Sequence, residues 1–190
     1  LKKLNYKGAW GGLRLRPELS RTLAKNDKRR LIFEGTFKED IPTLGGNDET
    51  SCGYMLIKYT NTTESDYYNE AGRDADPYVG NNNLDMSNTD YPIFRLADAY
   101  LMLAECQLHG VECNGLSYLN QVRARAGMPS RSSINAEELL AERMCELYCE
   151  GQRRSDLIRF GKYTGSNYLW SWKGGDYAGA SIPATRALYP

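Results

Sequence analysis

Histidine is almost missing from these 190 residues, with His109 standing alone. A metal site of the common nitrogen and sulfur kinds wants more ligands close by, so neither a metal nor another cofactor is expected. Surplus charge is missing too. The 24 basic and 24 acidic residues balance to a formal zero, which removes the basic footprint of a nucleic-acid binder. No apolar run reaches the length needed to cross a bilayer, and no secretory hydrophobic stretch opens the chain. Five cysteines, an odd number without a repeated spacing, do not make a disulfide framework. Cys145 and Cys149 stand one helical turn apart, Cys106 and Cys113 flank a helix end, and all are read as ordinary buried thiols.

What is present is helical patterning from Asp90 to Gly161. Arg95 to Leu108 puts Leu96, Ala97, Tyr100, Leu101, Ala104 and Leu108 on one broad arc, with Gly110 as a stop. Gly115 to Ala126 spaces Leu119, Val122 and Ala126 at helical intervals and ends at Gly127 and Pro129. The short link between them predicts an antiparallel pair. Small residues at Ala97, Ala104, Ala124 and Ala126 allow close approach, as in helix pairs of the tetratricopeptide type. Asn135 and Glu138 have capping-box spacing, so a third and longer helix is expected over Glu137 to Phe160.

On that third helix Leu140, Met144, Leu147 and Ile158 form one stripe, with Gly151 in its middle. Glu142, Glu146, Glu150 and Arg153 lie nearly opposite. A charged stripe of this kind is ordinarily a wet face. Cys145, Cys149 and Phe160 project beside the glutamates, however, and those residue types belong inside. Three covered carboxylates need cations, since removing the partner of a buried charge costs about 3–5 kcal/mol. Arg95, Arg123 and Arg125 are the cations expected to supply structural ion pairs to Glu142, Glu146 and Glu150. Paired carboxylates also invite a glycosidase reading. That chemistry sets two acids across a cleft, roughly 5–9.5 Å apart, and a general acid needs its pKa raised. Acids on one side of one helix, held ionised by arginines, suit neither role. No catalytic residue is expected.

The flanks differ in kind. Pro17 can open a short helix through Leu23; Lys28-Arg29-Arg30 is read as a solvated flank. Strands are expected at Leu31-Ile32-Phe33 with Thr36-Phe37, interrupted at Gly35, and at Tyr54 to Thr60. Asn61 to Asp90 is rich in Asn, Asp, Gly and Tyr and cannot bury a core, yet long loops inside compact domains are often functional. Flat aromatic faces beside amides suit sugars, which singles out Trp10, Tyr67, Tyr68, Tyr78 and Asn81. The tail after Gly161 spaces Tyr163, Tyr168, Trp170, Trp172 and Tyr177 with glycines, and Trp170 and Trp172 join the expected ligand-binding set.

Three motifs then fall in order: Tyr91-Pro92-Ile93-Phe94-Arg95-Leu96-Ala97-Asp98-Ala99-Tyr100-Leu101-Met102-Leu103-Ala104-Glu105, Leu119 to Gly127, and Glu142 to Gly161. Together they resemble the C-terminal signature of the SusD/RagB family, with Asp98, Cys106 and Ser155 as mild departures. Gly53, Tyr54 and Lys58 resemble its pre-helical strand. The resemblance implies a mainly α, SusD-like fold: a tetratricopeptide-like helix pair plus a long C-terminal helix, with extensive loops and a little β. Residues 1–90 are then a loop-rich segment, 91–161 the helical core and 162–190 an irregular aromatic tail, all of one domain and part of a longer protein. It also implies an outer-membrane lipoprotein, exposed at the cell surface and anchored through an N-terminal lipid absent from this chain. Such a protein binds an oligosaccharide or polysaccharide without cleaving it and delivers it to a SusC-like TonB-dependent transporter. Peptide capture of the RagB kind and a helical-repeat scaffold for another protein are the alternatives.

Overall fold

The computed structural model describes residues 14–43, 52–59 and 90–188. Helix dominates, and the only sheet among these residues has two strands. The mainly α fold that the resemblance implies is the fold observed.

Pro17 at the first helical position opens α1, Pro17–Thr22, where its missing N–H costs nothing. Leu19 and Leu23 turn inward. The strands are shorter than expected: β1 is Ile32–Phe33 and β2 is Met55–Leu56, antiparallel, with Ile32 opposite Leu56 and Phe33 opposite Met55. Leu15 adds a bridge to Tyr54, and Lys38 one to Cys52. Thr36-Phe37 does not continue β1, because the chain turns at Gly35-Thr36 and Phe37 donates its N–H back to the Glu34 carbonyl.

Helices α2, Leu96–Leu108, and α3, Gly115–Arg125, form the hairpin. Tyr118 packs against Tyr100 with ring centroids 4.7 Å apart, while Gly115 lies against Leu103 and Ala104, so the two helices run in opposite directions. Gly115 is required there. A Cβ would sit 2.5 Å from the Leu103 carbonyl oxygen and 2.8 Å from the Ala104 Cα, inside contact distance. Beyond α3, Met128 donates to the Arg123 carbonyl and Gly127 to that of Ala124, the paired bonds of a Schellman ending.

Helix α4, Ala136–Leu147, starts at Asn135, whose side chain accepts the Glu138 N–H at 2.8 Å. The reciprocal arm of the expected box is diverted, since the Glu138 carboxylate pairs with Arg131 at 2.8 Å. The expected helix over Glu137 to Phe160 is broken. Tyr148 is extended (ψ 141°), Cys149 and Gly151 have φ of 60° and 76°, and helix resumes as α5, Arg153–Arg159. Gly151 tolerates this left-handed backbone without a Cβ penalty. The break lets Tyr148 leave the helix for a core of its own, where its hydroxyl donates to the Arg29 carbonyl at 2.7 Å.

Two apolar clusters result, one on each side of α4. Leu139 and Leu147 join Leu101, Ala104, Leu119 and Val122 of the hairpin; Cys145 and Tyr148 join Leu15, Leu19, Leu23 and Ile32. Each fully buried leucine contributes roughly 1.5–3 kcal/mol by leaving water. The stripe expected on the third helix is therefore divided, with Met144 packed against the N-terminal cluster and Leu147 against the hairpin. Cys52 and Cys145 are buried thiols, whereas Cys106 and Cys149 are exposed, which corrects the expectation that all five are inside.

Candidate functional site

With α4 covered on two sides, the carboxylates of Glu142 and Glu146, and that of Glu150 in the joint just beyond it, are withdrawn from water. Glu142, Glu146 and Glu150 retain only 5%, 3% and 6% of their accessible surface. Arg123 of α3 bonds Glu142, with its own Nε donating to the Pro129 carbonyl. Arg95, at the N-cap of α2, reaches Glu146 at 2.5 Å and Glu150 at 2.7 and 2.8 Å. Arg125 reaches Glu146 at 2.6 Å. Two further cations come from the N-terminal part. Arg29 bonds Glu142 at 2.6 Å and Glu146 at 3.2 Å while held by Asp27, and Lys58 bonds Glu150.

Arg29 corrects the reading of Lys28-Arg29-Arg30 as a solvated flank. It is buried, and its neighbour Arg30 donates to the carbonyls of Ser20 and Leu23 and to Glu34. A basic tripeptide looks the same in sequence whether its arginines are wet or inserted. The available signal was the neighbouring Asp27, whose side chain accepts both the backbone N–H and the guanidinium of Arg29.

Electrostatics follow from this enclosure. Burial pushes the Glu150 carboxyl up, but hydrogen bonds from Arg95 and Lys58 outweigh it and hold the group below its ordinary value. Burial lowers the Lys58 ammonium. Tyr59, whose hydroxyl donates to the Cys149 carbonyl, is pushed up to about 12 by burial and then by the Glu150 charge. A second chain of charges escaped sequence reasoning. Arg143, fully buried, bonds Asp98 and Asp156 at 2.9 Å each, and Asp156 also holds Arg159, which reaches Glu105. Its signal was an arginine placed among Leu139, Leu140 and Leu147 on a helix with aspartates on either neighbour. These groups tie α2, α4 and α5 together. They offer no exposed acid to a substrate.

The aromatic tail is the surface feature. Tyr163 stacks on Trp170 with centroids 6.2 Å apart, Tyr168 lies 6.1 Å away, and the Lys173 ammonium sits 4.7 Å from the Trp170 ring centre. Trp172 belongs to a different cluster. Its indole N–H donates to the Ile41 carbonyl at 2.7 Å, and its ring meets Tyr177 at 5.9 Å and 65°. The tail is fastened to α1 by Glu18, which accepts both the backbone N–H and the hydroxyl of Ser171. Trp10, Tyr67, Tyr68, Tyr78 and Asn81 lie outside the described residues, so the structure places Trp170 and Trp172 alone among the expected ligand residues. A shallow groove along α3, lined by Leu116, Ser117, Asn120, Gln121 and Ala124, contains neither tryptophan.

The family model of the SusD family matches residues 36–189. The chain belongs to the SusD family. It is 43% identical over 171 residues to the starch-binding protein SusD of Bacteroides thetaiotaomicron, covering 88% of this chain and 28% of that one. It is 39% identical over 98 residues to SusD-like protein P25 of Formosa agariphila, covering 42% of this chain and 18% of that protein. Surface glycan-binding protein A of Bacteroides thetaiotaomicron superposes with a TM-score of 0.65 at 24% identity, over 96% of this chain and 38% of its own, which establishes likeness of fold. This SusD-family chain thus spans less than a third of the length of the curated relatives it matches.

Proposed function

We propose that this SusD-family chain serves non-enzymatic binding of a glycan at the cell surface, within a lipid-anchored outer-membrane protein that hands the glycan to a SusC-like TonB-dependent transporter. The observation that carries the reading is the 43% identity, over most of the chain, to a protein that binds starch. The disposition of charge supports binding without cleavage, because Glu142, Glu146 and Glu150 are enclosed and matched by cations. Labour is divided along the chain. Residues 91–161 hold the shape, while the aromatic margins at 1–90 and 162–190 recognise ligand through Trp10, Tyr67, Tyr68, Tyr78, Asn81, Trp170 and Trp172.

Starch is the first glycan to try. Isothermal calorimetry and affinity gels with amylopectin, other neutral polysaccharides, acidic polysaccharides and a peptide library should give saturable binding to a polysaccharide. Binding to peptides alone would replace the glycan with peptide capture. Binding to neither, with a partner protein retained on the helical face, would favour a scaffold. Co-purification of a TonB-dependent barrel from outer-membrane extract tests the transporter separately.

A further inference from the structure

We propose that the corner between Trp172 and Tyr177 is a contact site for one pyranose ring of a neutral glycan. The proposal rests on the glycan reading above and narrows it: of the tail aromatics, Trp170, included there with the ligand-binding residues, is reassigned to positioning the loop, and Tyr177 meets the ligand beside Trp172. Tyr177, one of the tail aromatics named from sequence, was not in the expected ligand-binding set.

The loop that carries the corner is closed and internally filled. Its base is pinned by the bridge between Gly165 and Ile182, with the Gly165 N–H donating to the Ile182 carbonyl at 2.8 Å. Lys173 occupies its centre, 1% exposed, its ammonium donating to the Tyr168 carbonyl at 2.6 Å and lying over Trp170. The Lys173 carbonyl accepts the N–H of Ala180 at 2.8 Å, and the Asp176 side chain accepts that of Ala178 at 2.8 Å. Closed loops packed by their own side chains are frequently functional, and one ordered in advance spends less entropy on binding. Trp170 is half-buried by this packing between Tyr163, Tyr168 and Lys173.

Tyr177 differs. It is 43% exposed at the outer turn, and its ring stands at 65° to that of Trp172. Two rings so inclined present one flat face and one adjacent wall, which fits the C–H face of a pyranose and its rim. The indole N–H of Trp172 is already taken by Ile41, so that ring offers apolar surface only. Asp176, exposed beside Tyr177, supplies a hydroxyl acceptor. Charge selects the class of glycan. From Gly165 to Ile182 the only cation is Lys173, which is buried and engaged, and the nearby guanidinium of Arg16 donates to the Ser171 carbonyl on the other side of Trp172 in sequence, so a uronate or sulfate would face Asp176 with no cation of the loop to balance it.

Tyr177→Ala, Tyr177→Phe and Asp176→Lys are to be compared with the unaltered chain by calorimetry and tryptophan fluorescence against amylopectin and against polygalacturonate, with melting curves alongside. Tyr177→Ala should weaken amylopectin binding about tenfold at unchanged melting temperature, and Tyr177→Phe should bind nearly as well as the unaltered chain. Asp176→Lys should gain binding to polygalacturonate. Amylopectin bound equally by Tyr177→Ala and the unaltered chain would overturn the corner and leave the glycan reading standing; an unaltered chain that prefers polygalacturonate would overturn its neutrality. No polysaccharide bound by any of them would remove both.

Discussion

At the residue scale, Glu146 and Arg125 make the same 2.6 Å contact and differ in what surrounds them. Glu146 is 1% exposed in its side chain and meets Arg29, Arg95 and Arg125, whereas the Arg125 side chain is 62% exposed. Burial decides the magnitude. Glu146→Gln leaves guanidinium charges in a poorly solvated site with one anion fewer, which should cost about 3–5 kcal/mol. That is a large share of the roughly 5–15 kcal/mol that separates folded from unfolded protein. Arg125→Ala removes a contact that water can replace and should cost at most about 1 kcal/mol. Urea titrations of both variants check the contrast, and equal losses would mean that the network is not enclosed as described.

At the element scale, the joint between α4 and α5 is the place where local pattern and tertiary structure disagree. The hairpin helices were legible because their signals are local: apolar residues at helical intervals, Gly110 and Gly127 after them, Pro129 beyond. The break was not. The spacing of Glu142, Glu146 and Glu150 continues a helical period through it, and only Gly151 hints at an interruption. What imposes the joint is contact with distant residues: Tyr148 inserted beside Leu19 and Ile32, and Glu150 held by Arg95 and Lys58. Lys58 and Arg29 were missed for the same reason, since Arg29 meets Glu142 across 113 positions of chain and no local pattern records such a pairing. The joint makes a sharp prediction. Gly151 sits at φ 76°, where an added Cβ crowds the following carbonyl, so Gly151→Ala should lower stability by about 1–2 kcal/mol. Gly161→Ser, at a φ of 66° with open space around its Cβ position, should cost a similar amount, which separates backbone strain from packing. Thermal melts of the pair provide the measurement, and a Gly151→Ala variant as stable as the parent would show that the joint relaxes into a continuous helix.

At the scale of the whole molecule, ion pairs connect parts of the chain that the two apolar clusters keep apart. Arg29 and Lys58 bring the N-terminal residues to α4, Arg95 and Arg123 bring the hairpin, and Arg143 with Arg159 brings α5. Stability should accordingly follow the protonation of carboxylates. Glu150 and Glu105 are both held below their ordinary value of 4.5: burial pushes each up, and it is outweighed by Arg95 with Lys58 in the first case and by Arg159 in the second. A carboxyl with a lower pKa folded than unfolded binds its proton more readily in the unfolded chain. Its contribution is therefore complete above the unfolded value and is lost as pH falls through the folded one. The melting temperature should be nearly level from pH 7 to pH 5, then fall steeply below about pH 4.5. Glu150→Gln should start lower at pH 7 and fall less on acidification, because the titrating group is gone. Salt should matter little to the buried pairs, since screening acts through solvent that they do not touch. A profile that stays level to pH 3, or one that collapses in moderate salt at pH 7, would place the stabilising charges at the surface instead of between the layers.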